Sequence, residues 1–498
     1  MREKIDCLLI NPGSRAAQYQ GLGAEFSAIE PPSLAALFAT YLRRRGQTVD
    51  IIDAPAEGYS PQDVARIVCE DFDPVLVVLV VYGFQPSAST QNMGAAGDTA
   101  RAIKEARPDV KIMMTGTHPA ALPAQTLREE KVDFVCSAEG PRTITKTILY
   151  LKAGRRIDSS VEDLWYRVGD VAMQTPKGEL MEESALNYDM AGGAWDLLPM
   201  HRYRAHNWHS FENIEKRQPY VSIHTTLGCP YKCSFCCINA PFGKSSYRMW
   251  SPEVVVAELR HLVRDYGMRN VKFVDEMFVL NRAHVTGICD GLIREGLGEH
   301  LNIWAYARVD TVKDEFLEKL RRAGFRWLAL GIESASKHVR DGVEKGRFGS
   351  EEILQVVRKI QGAGINVIGN YIFGLPDDTQ ASMKATLDLA LEANCEFSNF
   401  YAAMAYPGSK LYTAALERGW RLPESWIGYS QHSYETTPLA TETLSSEEVL
   451  AARDHAFQRY FAAPSYLALV ERKFGTAVVE HIDRMRAQPL PRKILDAA

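Results

Sequence analysis

Two patterns of apolar spacing alternate through the first third of the chain. Nearly unbroken apolar runs stand at CLLINP (residues 7–12), TVDIIDA (48–54), PVLVVLVVYG (74–83), VKIMMTG (110–116) and DFVCSAEG (133–140). Between them lie stretches whose apolar positions recur every three or four residues: SLAALFATYLRRRG, PQDVARIVCEDF, MGAAGDTARAIKEA, LPAQTLREE and TITKTILYLKAG. Strands of this length set between amphipathic helices predict an α/β fold, with a doubly wound parallel sheet over residues 1–150. The run Val75–Val81 has no polar break and reads as a central strand covered on both faces. Ligands of such sheets lie beyond the carboxyl ends of the strands, here Asn11–Gly13, Tyr82–Ser87, Thr115–Pro119 and Ala138–Pro141.

Periodicity is lost over residues 151–215, which read as a linker of short strands and an irregular crossover. Its histidines, His201, His206 and His209, keep no metal spacing and are expected in interdomain packing, with contact to substrate as the alternative. From Tyr220, strand and helix alternate six times over residues 216–420, through YVSIHTTLG, NVKFVDE, NIWAYAR, RWLALGIES, INVIGNYIFG and FSNFYAAMA. Helix starts are expected near Ser251, Arg282, Lys313, Ser350 and Asp378; Ser251 followed by Pro252 is a capping residue with a first-turn proline. Residues 421–498 read as a small, mostly helical domain closing over the strand ends. Its aromatic entry segment, Trp426 to Tyr434, is the candidate for shaping a substrate pocket, the alternative being a plain lid.

The chemistry concentrates in LGCPYKCSFCC. Cys229, Cys233 and Cys236 are spaced so that one short loop can aim three thiolates at a common point. Soft thiolates suit iron–sulfur or zinc, but zinc wants a fourth ligand, which the adjacent Cys237 could supply only awkwardly. Three ligands leave one iron of a cluster open to substrate.

This loop, with Phe235 before its last cysteine and a βα-alternating chain after it, resembles the radical S-adenosylmethionine (SAM) superfamily. The resemblance implies a partial (βα)6 barrel and a [4Fe-4S] cluster on Cys229, Cys233 and Cys236. The open iron would chelate SAM, and one electron would cleave it to methionine and a 5′-deoxyadenosyl radical. It further implies that Asp275 and Glu276 bind the SAM amino group, Arg308 its carboxylate, and Glu333 the amine or ribose. Gly369 and Ile372, within the segment Gly369–Gly374, would lie against adenine.

The loops of the first unit resemble the Rossmann-like cobalamin-binding domain fused to one radical SAM subgroup. NPGS (Asn11, Pro12), TGTHP (Gly116, Thr117, His118, Pro119) and AEGP (Glu139, Gly140) stand where that subgroup carries NPP, GGxHP and GEGE. The match is partial at each. The DxHxxG signature of histidine-ligated cobalamin is missing, so the resemblance implies no histidine on cobalt. The loop holding Tyr82, Gly83, Phe84 and Ser87 is then the candidate for the lower face; Tyr82 and Phe84 either exclude water there or merely cap the sheet. Cys7, Cys69 and Cys136 raise the alternative of a second cluster, as in methylthiotransferases, but fall within predicted elements and read as packing residues.

Composition narrows the class further. The 498 residues carry a net charge of −5, which offers no global attraction to nucleic acid or anionic membrane. No apolar run is long enough to span a bilayer, no signal-peptide pattern opens the chain, and scattered cysteines suit a reducing compartment, so a cytoplasmic protein is expected. The resemblance implies a cobalamin-dependent C-methyltransferase acting on an unactivated carbon of a small molecule, with electrons from a flavodoxin or ferredoxin. The alternatives are a cyclase or ring-rearranging enzyme with the same cofactors, and a noncatalytic cobalamin sensor.

Overall fold

The computed structural model describes residues 2–83, 85–346 and 348–496. Seven strands build the first sheet: β1 (Glu3–Asn11), β2 (Val49–Asp53), β3 (Phe72–Val81), β4 (Ile112–Gly116), β5 (Phe134–Cys136), β6 (Leu164–Val168) and β7 (Val171–Gln174). Their order is β2-β1-β3-β4-β5-β6-β7, with the first five parallel. Alternate side chains of β3 enter two separate cores: Leu76, Val78 and Val80 on one face, Val77, Leu79 and Val81 on the other. That two-sided burial explains the unbroken apolar run. Cys7 and Cys136 fill the first of these cores, whereas Cys69 lies on the helix Pro61–Glu70.

The sheet does not stop at residue 150. β6 and β7 form an antiparallel hairpin on the edge strand β5, pairing Phe134 with Tyr166 and Cys136 with Leu164. All four β7 residues are exposed, so the hairpin shows no apolar alternation in the sequence. In the segment that follows, His209 Nε2 meets the Asn302 carbonyl at 2.8 Å, and His206 stacks on Trp208 with ring centroids 5.5 Å apart.

The second sheet contains β8 (Tyr220–Ile223), β11 (Asn270–Phe273), β12 (Asn302–Arg308), β13 (Phe325–Glu333), β14 (Asn366–Phe373) and β15 (Phe397–Ala402), all parallel in the order β15-β14-β13-β12-β11-β8. A two-residue ribbon of β9 (Thr226–Leu227) and β10 (Arg248–Met249) follows β8. Ser251 caps the helix Pro252–Tyr266 as expected. The helix expected near Ser350 starts at that residue, with Gly349 in the capping position, and the one expected near Asp378 is Gln380–Ala393, capped by Thr379.

The last helices do not close over the strand ends. Ser446–Phe461 runs along β15, with Val449 at Gly374, Arg453 donating to the Phe400 carbonyl, and Tyr460 donating to Cys395. Pro464–Phe474 continues beneath the sheet, where Tyr466 donates to the Glu396 carbonyl and Lys473 reaches Asn366. The apolar stripe of these helices finds its partner on the uncovered edge strand, not on the polar mouth. Among the described residues no helix is long and apolar enough to cross a membrane.

Candidate active site

The cysteine loop leaves the carboxyl end of β8 through Thr225 and Thr226. Both backbone N–H groups donate to one oxygen of Asp275, at 2.7 and 3.0 Å, and the Thr225 hydroxyl donates to the other. Burial pushes the Asp275 carboxyl up to about 6, against the pull of these hydrogen bonds. Asp275 thus anchors the turn that aims the loop. Gly228 follows with φ +82, where a Cβ would come within 2.5 Å of the Ser246 carbonyl oxygen, so only glycine passes. Beyond it, Ser234 N–H donates to Val343 and Cys236 N–H to Cys233, fixing the tight turn between the last two cysteines.

Cys229, Cys233 and Cys236 line one cavity of about 1260 Å³ at the carboxyl ends of the strands. Phe235, Glu276, Arg308, Glu333 and Ile372 line it too. Asp275 faces away, and Gly369 lies on the other face of β14, where a Cβ would meet the Tyr371 ring at 2.8 Å. Its neighbour Asn370 takes the inward place beside Ile372. Among the described residues no three His, Cys, Asp or Glu side chains gather as a set for one metal ion. Soft thiolates spread around a large cavity fit a cubane, which offers a separate iron to each, better than one tetrahedral ion.

Charge inside the cavity is mixed. Burial raises the Glu276 carboxyl to about 7, although Lys272 and Lys345 favour its ionised form. Glu333, at a positive φ of 65 where β13 leaves its register, pairs with Lys345 at 2.5 Å. Burial disfavours the Lys345 ammonium, yet Glu333 and Cys233 outweigh it and raise its pKa. Gly331 makes room, since a Cβ there would stand 2.5 Å from Lys345 Nζ and 2.8 Å from Glu333 Oε1. Lys345 is absent from the sequence-level candidates. Its segment EKGRFGS lies outside the strand ends from which those candidates were drawn.

The first sheet brings a second opening. In the order 2-1-3-4-5 the topological switch falls between β1 and β3, the place where open parallel sheets bind ligands. Asn11, Pro12, Tyr82 and Gly83 line a cavity of about 720 Å³ there. A smaller space of about 520 Å³, lined by Tyr82, Gly83, Gln85, Thr117 and Glu276, leads toward the cluster cavity. Ser87 lines the cluster cavity itself, and Phe84 lies outside the described residues.

The remaining loop candidates stand elsewhere. His118 is buried against Trp426 at 4.4 Å and Thr90 Oγ1 at 3.2 Å, its pKa pushed down to about 3 by burial, with Pro119 buried beside it. Gly116, at φ +150, is required because a Cβ would sit on the Val81 carbonyl oxygen. Glu139 pairs with Arg248 at 2.6 Å and accepts the Met181 N–H at 2.7 Å; with Gly140 it lines a separate space of about 630 Å³. The crevice at the switch point, with Gly83 on its lining and Tyr82 and Gly83 shared with the space that reaches Glu276, is where a flat macrocycle would fit.

Comparison with known proteins agrees with both halves. Residues 223–390 match the Radical SAM superfamily, and residues 19–147 match the B12 binding domain. Residues 223–390 thus carry a radical SAM domain, and residues 19–147 a B12-binding one. It is 26% identical over 437 residues to an uncharacterized methyltransferase of Pyrococcus horikoshii, covering 88% of this chain and 89% of that one. It is 25% identical to the anaerobic magnesium-protoporphyrin IX monomethyl ester cyclase of Rubrivivax gelatinosus, covering 90% and 77%. Among solved structures, the fold is shared with the radical SAM methyltransferase TsrM of Kitasatospora setae, determined with cobalamin and a [4Fe-4S] cluster (TM-score 0.66, 18% identity, 84% and 75% covered). A radical SAM enzyme with a B12-binding domain takes a [4Fe-4S] cluster, SAM and cobalamin as cofactors.

The radical SAM cavity continues downward into a chamber of about 1270 Å³ inside the strands. Tyr306, Asn370, Tyr401, Tyr406 and Gln431 line both spaces, and so do Gln85 and Ser87 from the β3 loop of the B12-binding half. Trp304, His432, Arg453 and Tyr19 are among the other residues that line the chamber. The segment 426–434 therefore contributes to it, through Ser430, Gln431 and His432.

Proposed function

We propose that the protein is a cobalamin-dependent radical SAM methyltransferase, carrying a methyl group to an unactivated carbon of a small molecule. The observation that carries this reading is the double role of Gln85 and Ser87, which leave the B12-binding half and line the same cavity as the three cysteines. With its cofactors bound, the site supplies a carbon-centred radical from SAM and a methyl group on cobalt. Cys229, Cys233 and Cys236 hold the cluster. Glu276 and the Glu333–Lys345 pair offer opposite charges to the SAM amine and carboxylate, while Asn370 and Ile372 lie along the wall against which adenine would rest. Asn11, Pro12, Tyr82 and Gly83 hold the corrin edge. Tyr306, Tyr401 and Tyr406 wall the passage between cluster and chamber and exclude water from it, which protects a radical from quenching and keeps the reacting groups together.

The chamber takes the small-molecule substrate. Electrons come from a flavodoxin or ferredoxin in the cytoplasm, and nucleic acid is not a partner. A cyclase with the same cofactors is the second reading, favoured by the Rubrivivax gelatinosus relative. Anaerobic reconstitution with iron, sulfide, hydroxocobalamin, SAM and reductant separates the two. Methyl transfer yields S-adenosylhomocysteine alongside 5′-deoxyadenosine, whereas a cyclase yields 5′-deoxyadenosine alone.

A further inference from the structure

The strand-end arginine Arg308 stands in the family position for the SAM carboxylate, but its guanidinium is committed elsewhere. Nε donates to Asp310 Oδ1 at 2.9 Å and Nη2 to Asp310 Oδ2 at 3.0 Å, while Nη2 also donates to the Lys345 carbonyl. A guanidinium has five N–H donors, and these three bonds use its bidentate edge and both Nη2 hydrogens. Only Nη1 is left, and it points to Cys233 Sγ at 3.9 Å. The Tyr231 ring stacks over the guanidinium carbon at 3.8 Å, and Gly346, at φ +144, leaves room beside Nη2 that a Cβ would take at 2.9 Å. The side chain is 4% exposed. A fork locked from four sides cannot turn to grip a carboxylate.

The sulfur it faces changes character with metal. As a free thiol, Cys233 donates toward the Glu344 carbonyl at 3.7 Å. As a cluster thiolate it can only accept; Arg308 Nη1 is the donor aimed at it, and the Lys345 ammonium is a second cation acting on it. We propose that Arg308 is a positioning residue of the cluster, donating from Nη1 to the Cys233 thiolate and raising the reduction potential of the [4Fe-4S] centre. Hydrogen bonds and positive charge at cluster sulfurs stabilise the reduced form, which carries one more negative charge. Asp310 and Tyr231 hold the guanidinium to that task. This assignment rests on the radical SAM reading.

The experiment uses full-length protein reconstituted anaerobically with iron, sulfide and hydroxocobalamin, as wild type, Arg308→Met and Arg308→Lys. Midpoints come from electron paramagnetic resonance (EPR) titration without SAM, and SAM affinity is measured on the oxidised cluster. At the wild-type midpoint, the ratio of reduced to oxidised cluster in Arg308→Met is expected to fall about tenfold, a shift of about 59 mV downward for one electron. SAM affinity should stay within about twofold, and Arg308→Lys should lie between. An unmoved midpoint with SAM affinity reduced tenfold or more would return Arg308 to the SAM carboxylate and overturn the proposal. If Arg308→Met fails to retain iron, Arg308→Lys decides: a lowered midpoint with intact SAM binding supports the assignment, and a wild-type midpoint sinks it. A wild-type protein that assembles no [4Fe-4S] signal refutes the cofactor reading itself.

Discussion

Asp275 and Glu276 are neighbours in the chain and part ways in the fold. One carboxylate turns back to hold Thr225 and Thr226, and the other enters the cluster cavity. Asp275→Asn keeps an oxygen for the two backbone N–H groups, so iron loading and SAM affinity should stay within about twofold of wild type. Asp275→Ala leaves those buried donors without an acceptor, at a cost of about 1–3 kcal/mol, and should lower iron loading. Glu276→Gln should weaken SAM binding about tenfold with iron content unchanged. Equilibrium binding and iron analysis on the three variants check the division. In the sequence both acids end the same strand, and nothing in VDEMF says which one the twist turns inward.

Asp53 gives a pH test. It closes β2 and accepts from Asn11 at 2.9 Å and Tyr203 at 2.7 Å, yet burial pushes its carboxyl up to about 6. Because the folded pKa lies above the ordinary value, the stability linked to this group is full below pH about 4 and is lost as pH rises through about 6. Asp53→Asn should therefore be more stable than wild type by about 1–3 kcal/mol at pH 7.5, with the difference vanishing near pH 4. Thermal melts at the two pH values read it directly.

At the scale of elements, the parallel strands were legible because burial on two faces writes an unbroken apolar run. The hairpin β6–β7 was not, because an exposed edge hairpin carries no such mark. The final helices show their apolar stripe in sequence, but not which surface receives it; the open edge at β15 competes with the mouth and wins. Two glycines separate strand packing from cavity chemistry. Gly116→Ala drives a Cβ onto the Val81 backbone, which cannot yield, and should destabilise the protein by at least about 3 kcal/mol. Gly331→Ala meets only the tips of Lys345 and Glu333. It should fold normally and weaken SAM binding about tenfold by pushing that pair apart. Denaturant melts and SAM titration on both variants distinguish the two outcomes.

The whole molecule is two α/β units whose residues line common cavities at the seam. The loop Ala28–Pro32 of the first half reaches into the second, where Glu30 meets Lys272 Nζ at 3.0 and 3.1 Å with both side chains buried. His206 stands 3.6 Å from the same carboxylate. The cysteine spacing named the residues of one cavity; of the three partial loop motifs, only Asn11 and Pro12 of NPGS and Thr117 of TGTHP line the spaces at the switch point, and AEGP lines a separate one. How the halves meet could not be read, because Gln85, Gln431 and His432 come from loops with no periodicity and become neighbours only through packing.

That meeting is the central claim, and one spectrum tests it. Wild-type protein is loaded anaerobically with both cofactors, poised so that cob(II)alamin and the reduced cluster coexist, and examined by pulsed EPR beside samples loaded with either cofactor alone. The shared chamber predicts that each signal in the doubly loaded sample is broadened and relaxed faster by the other. A doubly loaded spectrum equal to the sum of the two single ones would contradict it.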